Sequence, residues 1–132
     1  MKSLNIYIVE DEPLIAETIK AILEDGNHKV LGYCDTVKAA LFDIEELQPD
    51  LVLLDIMLEG ELDGIDMSQH LQKRFSNLPF IYLTSLSDAN TLERVKNTNA
   101  SGFIVKPFNE NTLLSNIAVS YTHLTLPTIY SV

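Results

Sequence analysis

The chain has 132 residues, 9 Lys and Arg against 19 Asp and Glu for a formal net charge of −10, one cysteine and 46% hydrophobic residues. That length suits one domain around a single core, and the apolar content is too high for a disordered chain and too scattered for a membrane span, which needs about 20 apolar residues in a row. A pI near 4.5 excludes the basic face that a nucleic-acid partner would require, because nothing here would displace counterions from a phosphate backbone.

Leu4–Val9 (LNIYIV) reads as a strand, and Pro13 opens a helix at its first position, where the missing N–H costs nothing. Ile15, Ile19, Ile22 and Leu23 make one helical stripe, ended by Gly26-Asn27. Val30–Cys34 is a second strand, after which Thr36 caps a helix with stripe residues Val37, Ala40, Leu41, Ile44 and Leu47, stopped by Pro49. Leu51–Leu54 is an unbroken aliphatic run, the mark of a strand buried on both faces. Ile65–Phe75 reads as helix, Phe80–Leu83 as strand, and Ala89–Asn97 as a helix carrying Leu92 and Val95. Phe103–Val105 is a fifth strand, and Asn109 caps a last helix beginning at Glu110.

Five strands alternating with five helices through short connections predict a doubly wound α/β fold around a parallel sheet, with right-handed crossovers placing helices on both faces. Ligands in such sheets bind beyond the carboxyl ends of the strands. Glu10 and Asp11 follow the first strand, Asp55 the third, Thr84 and Ser85 the fourth, and Lys106-Pro107 the fifth. Carboxylates crowded at one rim repel one another, and a divalent cation is the simplest means of holding them ionised. Oxygen-only ligands without His or Cys point to Mg²⁺ or another hard ion. Lys106 adds a fixed positive charge and Thr84 a hydroxyl donor, together suited to a phosphoryl group arriving at a carboxylate nucleophile.

The runs Ile8-Val9-Glu10-Asp11-Glu12-Pro13, Leu53-Leu54-Asp55-Ile56-Met57-Leu58, Leu83-Thr84-Ser85 and Phe103-Ile104-Val105-Lys106-Pro107-Phe108 resemble, in order and spacing, the response-regulator receiver domain of bacterial two-component signalling. The resemblance covers residues 4 to about 118. It implies a flavodoxin-like sheet with strand order 2-1-3-4-5. It also implies that Asp55 is the phosphoacceptor for a histidine-kinase phosphohistidine or a phosphotransfer protein. Asp11 and Asp55 would ligate Mg²⁺ (or Mn²⁺) directly, Glu10 through water and Met57 through its backbone carbonyl. Lys106 would pair with the phosphoryl oxygens after a cis Lys106–Pro107 bond, and Thr84 with Phe103 would form the switch. The face of helix 4, strand 5 and helix 5 (Leu92, Val95, Lys96, Phe103, Lys106) would be the output surface and a route to a homodimer. Such a domain assists its own phosphorylation and dephosphorylation and is not otherwise an enzyme.

Two departures stand out. Phe103 lacks the hydroxyl a Tyr would bring and reads either as switch or as plain core, since aromatics commonly fill strand faces. Glu59 stands where the family usually has Pro, in a loop Glu59-Gly60-Glu61-Leu62-Asp63-Gly64 that is one residue longer than the commonest form. Competing readings fare worse. A flavodoxin-like FMN module wants N–H donors after strand 1, where Glu10-Asp11-Glu12 would repel a phosphate. A haloacid-dehalogenase-type phosphatase wants a second Asp two residues after the nucleophile, and that position is Met57. Glu12 reads as a helix-start acid, His28 and His70 as surface residues, and Cys34 as a small buried hydrophobe. A single thiol, and no secretory signal in Met1-Lys2-Ser3-Leu4-Asn5, suggest the cytoplasm, with no membrane contact.

Every Lys, Arg, Asp and Glu lies between Lys2 and Glu110. The stretch Val119–Thr128 is uncharged, rich in β-branched residues and interrupted by Pro127, so the last helix is expected to be truncated or distorted. The codons GTC TCT TAT ACA CAT CTG ACG CTG CCG ACG encode those ten residues and resemble a transposon-end sequencing adapter. The expected division is a receiver over residues 1–118 and a non-native, adapter-derived tail over 119–132. The natural chain is expected either to continue into a DNA-binding or enzymatic output domain or to stop as a single-domain regulator.

Overall fold

The computed structural model describes residues 3–57, 63–85, 89–96 and 98–125. Strands β1 (Asn5–Val9), β2 (Lys29–Cys34), β3 (Leu51–Asp55), β4 (Phe80–Thr84) and β5 (Gly102–Val105) alternate with helices α1 (Pro13–Asp25), α2 (Val37–Leu47), α3 (Gly64–Arg74), α4 (Ala89–Lys96) and α5 (Glu110–Thr125). The strands form one parallel sheet in the order β2-β1-β3-β4-β5, as expected.

Side chains of alternate strand residues enter two separate cores. Tyr7, Val9, Val52, Leu54, Phe80 and Tyr82 pack with α2, α3 and Val95 on one face. Ile6, Ile8, Leu51, Leu53, Ile81, Leu83 and Ile104 pack with α1 and α5 on the other. All five residues of β3 are buried, which is why its first four, Leu51–Leu54, are continuously aliphatic. Truncating one of these leucines to alanine costs about 2–5 kcal/mol.

The helix ends follow local chemistry. Pro13 occupies the first turn of α1, and the Thr36 hydroxyl accepts the Ala39 N–H at 3.3 Å to cap α2. Asn109 Oδ1 accepts the Thr112 N–H at 2.8 Å to cap α5. The left-handed residues that turn the chain after α1 and α2 are Asn27 (φ 70°), within the expected Gly26-Asn27 stop, and Gln48 (φ 49°), whereas Gly26 itself has φ −85°. Gly26 is small for another reason: a Cβ there would come 2.7 Å from Leu114 Cδ2, where α5 crosses the end of α1.

Several expectations are corrected. Leu47 points outward and is 43% exposed, because the α2 stripe ends one turn earlier, at Ile44. His28 is buried, with Nδ1 accepting the Leu4 N–H at 3.1 Å. Cys34 is half-buried and its thiol donates to the Thr36 carbonyl at 3.3 Å, so it is a polar contact and not simply a hydrophobe. The last helix continues past Ala118 to Thr125. Leu113, Ile117 and Ser120 form an inward line at helical spacing, and a Cβ on Gly102 would come 2.5 Å from Ser120 Oγ, so packing on β5 outweighs weak local propensity. Pro127, the Leu92 side chain and residues 59–62 of the loop after β3 lie outside the described residues. Among the described residues no helix is long and apolar enough to cross a membrane.

Candidate functional site

Strand order sets the site. β1, β3, β4 and β5 are consecutive neighbours, with Val9 opposite Leu54, Asp55 opposite Leu83 and Thr84 opposite Val105, so the residues that leave these strands emerge side by side. Glu10, Asp11 and Asp55 each offer a carboxylate oxygen within 4.8 Å of the others. Lys106 Nζ lies 2.9 Å from Glu10 Oε1 and 3.0 Å from Asp55 Oδ2. The Lys106 N–H donates to the Thr84 carbonyl at 2.8 Å, which fixes where the lysine leaves β5, and the Lys106–Pro107 bond that follows is cis, as expected.

The second oxygens of Asp55 and Glu10 are also held. Asp55 Oδ1 accepts the Met57 N–H at 3.0 Å, and Glu10 Oε2 accepts the Glu12 N–H at 3.3 Å. The contact Met57 makes here is through its N–H, and its side chain is exposed. Glu10, Asp55 and Thr84 are buried while Asp11 is half-buried, and Asp11 and Asp55 line an open cleft of about 500 Å³ together with Glu12, Ile15, Met57, Ser85 and Lys106.

Burial and neighbouring charge together set the protonation of this cluster. Burial, and then the hydrogen bond with the neighbouring Asp55 carboxylate, push Glu10 up to about 8, with Lys106 partly opposing the rise. Burial pulls the Lys106 ammonium down, but its bonds to Glu10 and Asp55 more than compensate and it stays above its usual range. The rim gathers three carboxyl groups against one ammonium, and the donors are all oxygen. That set fits a hard divalent cation that keeps several of its waters.

Phe103 is 42% exposed, and its ring stacks on Tyr82 with centroids 5.7 Å apart and planes 26° off parallel. The Tyr82 hydroxyl in turn bonds Thr98 Oγ1 at 2.9 Å. Phe103 is therefore neither plain core nor free surface. Val95, expected on the output face, is buried, while Lys96 and Val105 are exposed.

Sequence reasoning missed the roles of four residues near the site, Asp63, Gly64, Asp66 and Arg94. Asp63 caps α3 reciprocally with Asp66, and Arg94 of α4 grips both. Gly64 abuts the Asp55 backbone: a Cβ there would meet the Asp55 carbonyl oxygen and lie 2.8 Å from Ile56 Cα. The spacing of an acid at 63 and another at 66 before an apolar run is a capping-box signal and could have found the first of these.

A family model described as Response regulator receiver domain matches residues 6–118. The DNA-binding response regulator MtrA of Mycolicibacterium smegmatis is 33% identical over 114 residues, 85% of this chain and 48% of that protein. The uncharacterized transcriptional regulatory protein YrkP of Bacillus subtilis is 32% identical over 123 residues, 92% of this chain and 51% of that protein. The chain thus spans about half the length of these curated relatives. Among solved structures, the signal receiver domain of a modulated diguanylate cyclase from Desulfovibrio desulfuricans superimposes with a TM-score of 0.86 at 36% identity, covering 93% of this chain and 97% of that one. The signal receiver domain of a histidine kinase from Syntrophus aciditrophicus gives a TM-score of 0.85 at 28% identity, covering 95% of each chain.

Proposed function

Because the chain belongs to the response-regulator receiver domain family, we propose that Asp55 accepts a phosphoryl group from the phosphohistidine of a sensor histidine kinase or phosphotransfer protein. The observation that carries this reading is the meeting of Glu10, Asp11, Asp55 and Lys106 at one rim. An Asp55 oxygen attacks phosphorus, the phosphorus–nitrogen bond breaks, and its electron pair returns to the imidazole. Lys106, already bonded to Asp55 Oδ2, is placed to follow the charge onto the phosphoryl oxygens. Asp11 and Asp55 directly, Glu10 through water and Met57 through its carbonyl would hold Mg²⁺ (or Mn²⁺), which supplies neutralising charge for those oxygens when bound.

The added group brings ≈ −1.5 to −2 charge to the rim. Thr84, at the end of β4 and tied through its carbonyl to Lys106, supplies the hydroxyl that answers it. Phe103 responds through its stacking on Tyr82, and the exposed β5 residues Phe103 and Val105 offer the surface for an output partner or a second copy. The domain acts as a signalling phosphoacceptor and assists its own phosphorylation and dephosphorylation. MtrA is named as a DNA-binding regulator; here a net charge of −10 leaves any DNA contact to whatever lies outside this domain. With no helix among the described residues fit to cross a membrane, a cytoplasmic site of action suits this role.

Beryllofluoride with Mg²⁺, which mimics an acyl phosphate, is the direct test. It is expected to bind at Asp55 and move the NMR signals of Thr84 and Phe103. Asp55→Asn is expected to bind none, and equal binding by that variant would refute the assignment.

A further inference from the structure

Asp63 is held by two elements at once. Its Oδ1 accepts the N–H groups of Ile65 at 2.9 Å and Asp66 at 3.0 Å, while Asp66 Oδ2 accepts the Asp63 N–H at 2.9 Å. The same carboxylate receives Arg94 in a two-point contact, Nη1 to Oδ2 at 2.8 Å and Nη2 to Oδ1 at 3.2 Å. Asp66 Oδ1 lies a further 3.6 Å from Arg94 Nη2. The next residue, Gly64, donates its N–H to the Ile56 carbonyl at 3.0 Å and leaves no room for a Cβ beside the Asp55 carbonyl. The first turn of α3 is thus gripped from one side by α4 and rests on the other against the Asp55–Ile56 backbone.

We infer that Arg94 is a positioning residue for the phosphoacceptor, tying α4 to the backbone of Asp55 and Ile56 through Asp63 and Gly64. The inference rests on the reading of Asp55 given above. An isolated surface ion pair contributes little, since ordering two long side chains cancels most of the attraction. This pair differs because the Asp63 carboxylate is already fixed by two backbone N–H donors, which lowers that ordering cost, and because the guanidinium engages both oxygens. Burial opposes the Asp63 charge, but Arg94 and the backbone donors overcome it and hold the carboxyl below its usual range. The turn after α4 is fastened to α3 as well, with the Asn99 N–H donating to Gln72 Oε1 at 2.6 Å. A nucleophile must keep its geometry to within a fraction of an ångström, so a restraint on the turn beneath it reaches the reaction.

The test is a double-mutant cycle read by beryllofluoride affinity in saturating Mg²⁺. Arg94→Met removes the pair, and Asp63→Asn weakens it while keeping an Asn cap on α3, which serves as well as Asp. Each is expected to lower affinity about 2- to 5-fold, with the double variant no weaker than Arg94→Met alone. Arg74→Met removes a comparable surface pair at the other end of α3, Arg74 with Glu45 at 3.0 Å, and is expected to bind as wild type does. Wild-type affinity in Arg94→Met, additive losses in the cycle, or an equal loss in Arg74→Met would overturn the inference. Failure of the wild-type protein itself to bind beryllofluoride would instead refute the Asp55 reading, and the Arg94 role with it.

Discussion

Lys106 Nζ sits 3.0 Å from Asp55 Oδ2 across 51 residues of sequence, and with side chains only 20% and 5% exposed the pair is shielded from solvent. The lysine is held there by its own N–H bond to the Thr84 carbonyl and by Glu10 on its far side. Charge at this position is needed most when the phosphoryl oxygens arrive. Lys106→Met is therefore expected to slow phosphorylation by a small acyl-phosphate donor about 10²-fold. Mg²⁺ affinity, which depends on the carboxylates, is not expected to fall. Loss of both together, measured by stopped-flow and by metal titration, would place Lys106 in the architecture of the metal site instead.

Glu10 couples metal uptake to pH. Its carboxyl is pushed up to about 8 by burial and by Asp55, so below that pH it holds a proton in the metal-free protein. A cation drawn to this rim favours the ionised form and releases that proton. Mg²⁺ affinity should therefore rise between about pH 6 and pH 8, with proton release visible as a buffer-dependent heat in calorimetry. Glu10→Gln should remove that pH dependence. A wild-type affinity flat across this range would contradict the account.

His28 links stability to pH at the opposite end of the sheet. Burial lowers its pKa from 6.5, and its neutral Nδ1 accepts the Leu4 N–H. Below the unfolded value the denatured chain takes up a proton that the folded imidazole resists. The contribution is thus present above about pH 6.5 and is lost as pH falls toward the lower folded value. Urea titrations should show a smaller loss of stability on acidification in His28→Gln than in wild type, because an amide oxygen can accept the same N–H without titrating. Equal losses in the two proteins would show that folding does not lower the proton affinity of His28.

Two glycines should respond differently to alanine. At Gly64 the new Cβ meets backbone of Asp55 and Ile56, which cannot move without moving the acceptor, so a loss of about 1–3 kcal/mol and weaker beryllofluoride binding are expected. At Gly26, with φ −85°, the Cβ meets the methyl ends of Leu114, and stability should stay within about 1 kcal/mol of wild type. Denaturant midpoints for the pair check both, and a reversed order would show that the turn before α3 yields more readily than the α1–α5 contact.

The sheet and the rim were legible because both follow from short-range signals. Buried parallel strands read as aliphatic runs such as Leu51–Leu54, and the strand ends then nominate Glu10, Asp11, Asp55, Thr84 and Lys106 without knowledge of their distances. The grip of Arg94 on Asp63 was not legible, since 31 residues separate them and their meeting depends on how α4 lies beside α3. His28 became buried through the register of the turn between α1 and β2, to which hydrophobic periodicity is blind. The extension of α5 was missed because local propensity carries no term for the space that Gly102 leaves opposite Ser120.

The uncharged end has its own test. We propose that residues 119–132 are read-through of adapter DNA and that the receiver proper spans residues 1–118. The nucleotides encoding Val119–Thr128 should match the adapter codons throughout, whereas synonymous differences across the stretch would refute the foreign origin. The helix through Thr125 does not decide between these, because Ser120 and Tyr121 pack on the sheet whatever their source.

The central claim is that Asp55 carries the phosphoryl group. Intact-mass analysis after incubation with a small acyl-phosphate donor and Mg²⁺ tests it most directly. The account predicts one phosphoryl adduct on the wild-type chain, lost on hydroxylamine treatment as an acyl phosphate should be, and none on Asp55→Asn. An adduct of the same extent and lability on Asp55→Asn, or none on the wild-type chain, would contradict it.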